Sequence, residues 1–300
     1  MKIIMIGHGM VGHKFIESVL EHVGDDVEIT ILAEEPRLAY DRVHLTEYFS
    51  GKSAKDLTLC RADFADAYGI DLRLNTKAVA IDQSHKTVTT NHGDVLSFDK
   101  LILATGSYAF VPPISGNDRE NCFVYRTIED LDAIRAASLN AKSGVVIGGG
   151  LLGLEAAKAL RDLNLETHVV EFAPRLMAVQ IDDLGGKVLR AKIENLGVKV
   201  HTQKATSSIE EGATTKHVMK FGDGSELETD IILFSAGIRP RDELARQSGL
   251  ALGERGGIMI NDYCQTSNPD IYAIGECALW QNKIYGLVAP GYDMARIAAK

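Results

Sequence analysis

Four cysteines in 300 residues is little for a chain that would trade in thiols or metals, and none stands near another. Cys60, Cys122, Cys264 and Cys277 form no CxxC or CxxxxC pair and no metal-ligand spacing, so no redox-active disulfide and no metal site is expected. Basic clusters are missing too. With a formal net charge of −9 and a pI near 5.5, the chain is a poor partner for nucleic acid or an anionic membrane. Long apolar runs are also lacking. The N-terminal MKIIMI is too brief for a signal peptide and leads into glycines without a small-residue cleavage site. Val145–Leu154 contains four glycines and stops at Glu155, far short of a membrane span. The expected location is cytoplasmic.

What remains is an ordinary globular composition, 45% hydrophobic and 24% charged, over a length suited to roughly two domains. Its informative features are two glycine-rich loops. Gly7-His8-Gly9-Met10-Val11-Gly12 follows the apolar strand Lys2–Ile6, and Gly148-Gly149-Gly150-Leu151-Leu152-Gly153 follows Gly144–Ile147. In each loop the first glycine permits a tight turn, the second lets a pyrophosphate approach the backbone, and the last allows helix and strand to pack closely. The amides that open the following helix, at Met10 and Val11 or Leu151 and Leu152, then face the phosphates. A carboxylate at the end of the next strand completes the pattern by accepting from a ribose diol. Glu34 or Glu35 meets that need for the first loop, and Glu171 for the second. A carboxylate there repels a 2′-phosphate, so NADH is expected over NADPH, with Arg175 a cation that could moderate the preference. Two such loops in one chain suggest two dinucleotides and electron transfer between them.

The elements repeat in order. Strand, loop, helix and strand are followed by three short strands (77–81, 86–90, 94–98) and the apolar Leu101–Ala104. The same series returns as 144–148, 151–163, 166–171, 183–196 and 198–202, then short strands near 205–210, 216–221 and 226–229, ending in Ile231–Phe234. Val111-Pro112-Pro113-Ile114-Ser115-Gly116 marks a boundary. The expected fold is α/β, with two Rossmann-like domains, each a parallel sheet with helices and a small antiparallel meander. Residues 1–110 and 236–300 would bind FAD, and the inserted residues 111–235 would bind NAD(P).

Three further motifs carry a family resemblance. Leu101-Ile102-Leu103-Ala104-Thr105-Gly106, Phe234-Ser235-Ala236-Gly237-Ile238-Arg239-Pro240 and the stretch Thr266 to Ala278 (TSNPDIYAIGECA) are similar to the two crossing segments and the flavin-side segment of two-dinucleotide-binding flavoproteins, which include rubredoxin and ferredoxin reductases. Within that family the wording resembles the large subunits of NAD(P)H-dependent nitrite reductases, through AEEPRLAYDRVHL (33–45), FVYRTIEDL (123–131), VEFAPRLMA (170–178) and GLVAPGY (286–292).

The resemblance implies a flavin site of Gly7, Gly9, Met10, Val11, Gly12, Glu34, Glu35, Arg42, Ala104, Thr105, Gly106, Gly275 and Glu276. It implies a pyridine-nucleotide site of Gly148, Gly149, Gly150, Leu151, Leu152, Gly153, Glu155, Glu171 and Gly237, with no metal and no catalytic side chain beyond the flavin's own chemistry. Electrons would leave for iron–sulfur and sirohaem centres in downstream redox domains or a small partner subunit. These lie outside this chain, which is expected to be part of a longer protein that also holds an interface domain, and oligomerisation is possible. An NADH:rubredoxin or ferredoxin reductase, and an NADH-dependent sensor flavoprotein, are the alternatives. Two departures stand out. Glu47 follows Tyr40–Thr46 where relatives carry a lysine that pairs with the glutamate of the second loop, so a Glu47–Glu155 contact would raise one pKa or be avoided. Glu276 stands where relatives carry aspartate. His44 is a candidate flavin-facing residue, and His8, at a variable loop position, is expected to point to solvent.

Overall fold

The structure, a computed structural model, describes residues 1–22 and 27–300. Two compact units emerge, one of Met1–Asp41, Leu57–Tyr108 and Arg239–Lys300, the other of Arg42–Asp56 and Ala109–Ile238. Short runs rich in Ile and Val, such as KIIMI, EITIL, SGVVI and IILF, form the strands. Because these runs are apolar at consecutive positions, both faces of each sheet must be covered, which is the condition of a parallel sheet flanked by helices.

In the first unit the parallel order is Ile271–Ala273, Lys100–Leu103, Lys2–Ile6, Glu28–Leu32, Asp71–Arg73. In the second it is Cys122–Val124, Ile231–Phe234, Ser143–Ile147, Glu166–Val170, Val198–His201. The layouts coincide strand for strand. The outer strand beside the post-meander strand, however, is supplied from the C-terminal side in the first unit and from the N-terminal side in the second. Each unit carries a three-stranded antiparallel meander, 78–97 and 206–229. Met5, Ile31, Leu101, Leu103 and Ile271 fill one core, and Val145, Val146, Val169, Ile232 and Leu233 the other. Among the described residues no helix is long and apolar enough to cross a membrane.

Residues 42–56 depart from the expected partition, because they cluster with the second unit. Tyr48 donates its hydroxyl to Asp132 on helix Ile128–Ser138, and the Arg135 guanidinium lies 4.1 Å from the Tyr48 ring centroid. Ser50 bonds Asp162 at 3.0 Å, and Tyr125 donates to Thr46 at 3.1 Å. That helix begins with a capping box in which Thr127 and Asp130 satisfy each other's amides. Its start therefore sets where Asp132 and Arg135 point.

Candidate dinucleotide site

Each glycine loop starts where its first strand ends. Gly7 donates to the Leu32 carbonyl at 2.9 Å and Gly148 to the Val170 carbonyl at 2.8 Å. Both glycines have positive φ, +102° and +121°. A Cβ on Gly7 would stand 2.3 Å from the Ala104 oxygen, and one on Gly148 would stand 2.2 Å from the Ser235 oxygen. Gly12 and Gly153 are pressed in turn against the Gly7 and Gly148 carbonyls, where a Cβ would fall at 2.6 and 1.9 Å. These four glycines are fixed by the fold itself.

Gly9 and Gly150 are different. A Cβ on either would meet nothing within 4 Å, and Gly150 has an ordinary φ of −82°. Neither crowding nor backbone geometry requires glycine at these two positions. Each begins its helix, since His13 donates to the Gly9 carbonyl at 2.9 Å and Leu154 to the Gly150 carbonyl at 3.0 Å. Gly150 caps helix Leu151–Asp162 without a side-chain bond, so the amides of Leu151, Leu152 and Gly153 open the helix with no protein cap. An open space before uncapped amides at the positive end of a helix is what a bound diphosphate needs. The residues fit the group.

In the second unit Glu171 closes strand Glu166–Val170. Its carboxylate accepts from the Gly149 amide at 2.5 Å and from the Ala173 amide at 2.7 Å, which places it against the loop. In the first unit the strand register makes Ala33 the counterpart of Glu171, and His8 the counterpart of Gly149. A small residue faces a large one in both, with the sizes exchanged. Glu34 lies one residue further on, paired with Lys77 at 3.1 Å and Arg241 at 2.9 Å, while Glu35 accepts from Tyr40 at 2.8 Å.

The segments around Ala104–Gly106, Arg241 and Gly275–Glu276 are joined by side-chain hydrogen bonds. Thr105 donates to the Arg241 carbonyl at 2.6 Å, and Gly106 has φ +69° with open space at its Cβ position. Gly275 lies against Val11, and a Cβ on Gly291 would be 2.5 Å from a Val11 methyl, so the last helix packs on the first loop through a missing side chain. Glu276 accepts from Ser107 at 2.7 Å. Gly237, with φ +108°, is equally open. Arg42 belongs instead to the second unit, where it donates to the Arg126 carbonyl at 3.1 Å.

The carboxylate clash foreseen between Glu47 and Glu155 is avoided. Glu47 pairs with Lys52, and the charge acting on Glu155 is that of His44, at the start of the turn Leu45–Tyr48. Burial raises the Glu155 carboxyl, and His44 partly offsets it.

His8 overturns its expectation. It is buried, 8% exposed, with its ring 5.6 Å from that of His13, which in turn meets Phe64 edge-on at 4.9 Å. Neither ring nitrogen has a hydrogen-bond partner. Desolvation, with a smaller push from His13, lowers its pKa to about 4. A histidine whose folded pKa lies below its unfolded 6.5 costs nothing above pH 6.5, and stability is lost as the pH falls from there toward 4. The cost reaches about 3 kcal/mol at the acid end. Urea midpoints should fall across that window, and His8→Asn should flatten the fall. An unchanged slope would show that His8 is not the group responsible.

The thiols are poor nucleophiles. Burial pushes Cys122 and Cys264 up to about 11, and raises Cys60 and Cys277 as well.

Comparison with known proteins agrees with this geometry. The family model for pyridine nucleotide-disulphide oxidoreductases matches residues 1–298. The NADH nitrite reductase large subunit of Escherichia coli is 56% identical over 299 residues, covering 99% of this chain and 35% of that protein. The assimilatory nitrate reductase electron transfer subunit of Bacillus subtilis is 38% identical over 99% of this chain and 38% of its own length. The chain thus spans about a third of these curated relatives. Among solved structures, the water-forming NADH oxidase from Lactobacillus brevis bound to NADH superposes with a TM-score of 0.91 at 26% identity, over 100% of this chain and 68% of that one. On sequence and on fold alike, the chain belongs to the pyridine nucleotide-disulphide oxidoreductase family.

Proposed function

We propose that this chain is the NADH-oxidising flavoprotein module of a nitrite reductase. FAD would occupy the first loop and NADH the second. Bound flavin supplies the chemistry, accepting hydride from reduced nicotinamide and releasing electrons singly. The chain's own groups bind and orient. Loop amides hold the diphosphates, and the segments at Ala104–Gly106 and Gly275–Glu276 line the flavin side.

The observation that carries the proposal is the pair Gly9 and Gly150, where neither crowding nor backbone conformation calls for glycine and a bound diphosphate would. The likeness to nitrite reductase large subunits supports nitrite as the final electron acceptor. Four dispersed free thiols do not suit a four-thiolate cluster, so iron–sulfur and sirohaem centres would lie outside these residues. Purified chain supplied with FAD should be yellow, lose its flavin colour on adding NADH, and turn over with ferricyanide. Protein that takes up neither coenzyme would refute the proposal.

The ribose assignment has its own test. Glu171→Ala should weaken NADH about tenfold and NADPH by clearly less, because the loop loses its Gly149 and Ala173 bonds for both while NADH also loses a ribose hydrogen bond and NADPH is relieved of a repulsion. Equal losses would refute it.

A further inference from the structure

The loop after Glu171 is folded back on the second glycine loop. Met177, at φ +47°, donates its amide to the Gly149 carbonyl at 2.8 Å, while the Gly149 amide is held by Glu171. Leu176 is fully buried beneath, and a Cβ on Gly149 would meet it at 2.6 Å. One side chain ties this loop to helix Asp183–Asn195. Arg175 donates through Nε to the Ile181 carbonyl at 3.1 Å, through Nη2 to the Ala178 carbonyl at 3.1 Å, and through Nη1 to Asp183 at 2.7 Å. Its stem lies on Gly186, where a Cβ would stand 2.9 Å from Arg175 Cδ.

Arg175 is the first cation after Glu171, and the sequence leaves open whether it greets a 2′-phosphate. The geometry points to another role. We infer that Arg175 is a positioning residue that closes the loop on Gly149, and that Asp183 withholds its charge from a 2′-phosphorylated nucleotide. This rests on the assignment of a dinucleotide to the second loop.

Each of the three guanidinium nitrogens is engaged, by the Ile181 and Ala178 carbonyls and by Asp183. The Asp183 side chain is 83% exposed, so its ion pair adds little to stability. Its effect is electrostatic: it offsets the positive charge of Arg175, the first cation after Glu171. Lys204, whose amide donates to the Glu171 carbonyl at 3.0 Å, is committed in turn to Asp223 and to Ser225 at 2.6 Å. A 2′-phosphate arriving beside Glu171 would thus meet a carboxylate, with Arg175 and Lys204 already committed to carboxylates of their own.

Titrating the full chain with NAD+ and NADP+ by calorimetry avoids hydride transfer and separates the possibilities. Arg175→Ala should weaken NAD+ about tenfold, because it loosens a preorganised loop, and NADP+ about threefold more, because it also uncovers the Asp183 carboxylate. Arg175→Lys, which cannot reproduce the fork, should fall between. Asp183→Ala should strengthen NADP+ about threefold and leave NAD+ within about twofold, the size expected of one uncovered charge near the surface. Loss of NADP+ with NAD+ affinity unchanged in Arg175→Ala, or an unchanged ratio in Asp183→Ala, would overturn the inference. If unaltered protein bound neither nucleotide, the functional proposal would fail instead. Asp183→Ala keeps the test open even if Arg175→Ala does not fold.

Discussion

Replacing Gly150 with valine is expected to leave a folded, yellow protein whose colour NADH no longer removes. A valine at the start of helix Leu151–Asp162 costs about 1 kcal/mol as a poor cap, small against the 5–15 kcal/mol typical of a domain. No atom within 4 Å resists its Cβ, and φ of −82° is ordinary for valine. What the isopropyl group does fill is the space in front of the helix amides. Affinity for NADH should fall roughly 100-fold or more, about 3 kcal/mol. Calorimetry with NAD+ measures this without turnover, and retained affinity would mean that the nucleotide lies elsewhere. Gly153→Ala makes the instructive contrast, because its Cβ would sit 1.9 Å from the Gly148 oxygen. There the loss should be of the folded unit, visible as a lowered melting temperature.

The mirror experiment, Gly9→Val, should give colourless protein that still binds NAD+. The space at Gly9 is as open as at Gly150, so the first unit should fold and lose only its flavin. Flavin content per chain after purification in excess FAD, read beside NAD+ titration, separates the two loops. A yellow Gly9→Val protein would show that the first loop is not the flavin cradle. One in which NAD+ binding disappears as well would show that the two loops do not act separately.

The loops were legible in the sequence because each glycine's duty is local. A strand end, a tight turn and a helix start make the pattern, although the Ala104 and Ser235 carbonyls that press on Gly7 and Gly148 lie far along the chain. Glu171 was legible for the same reason, as a carboxylate closing a β-branched strand. Register was harder to see. Ala33, not Glu34, is the counterpart of Glu171, and counting residues from a glycine does not reveal which residue of a Glu-Glu pair continues the strand. His8 could not be placed from sequence at all. Its burial depends on His13 and on Phe64, which comes from a distant segment. Residues 42–56 were misassigned for a similar reason, since what holds them is Asp132, Arg135, Tyr125 and Asp162. No local pattern announces contacts made across that much chain.

The two outer strands taken from opposite directions have a consequence for biosynthesis. Cys122–Val124 precedes the other strands of its sheet, so that sheet has all its members once Phe234 has been made. The other sheet, although its central strand Lys2–Ile6 is made before any strand of the inserted unit, waits for Ile271–Ala273. Of the two units, the one whose strands are made first is therefore completed second, and its nascent β-strands must remain one member short while the inserted unit is assembled.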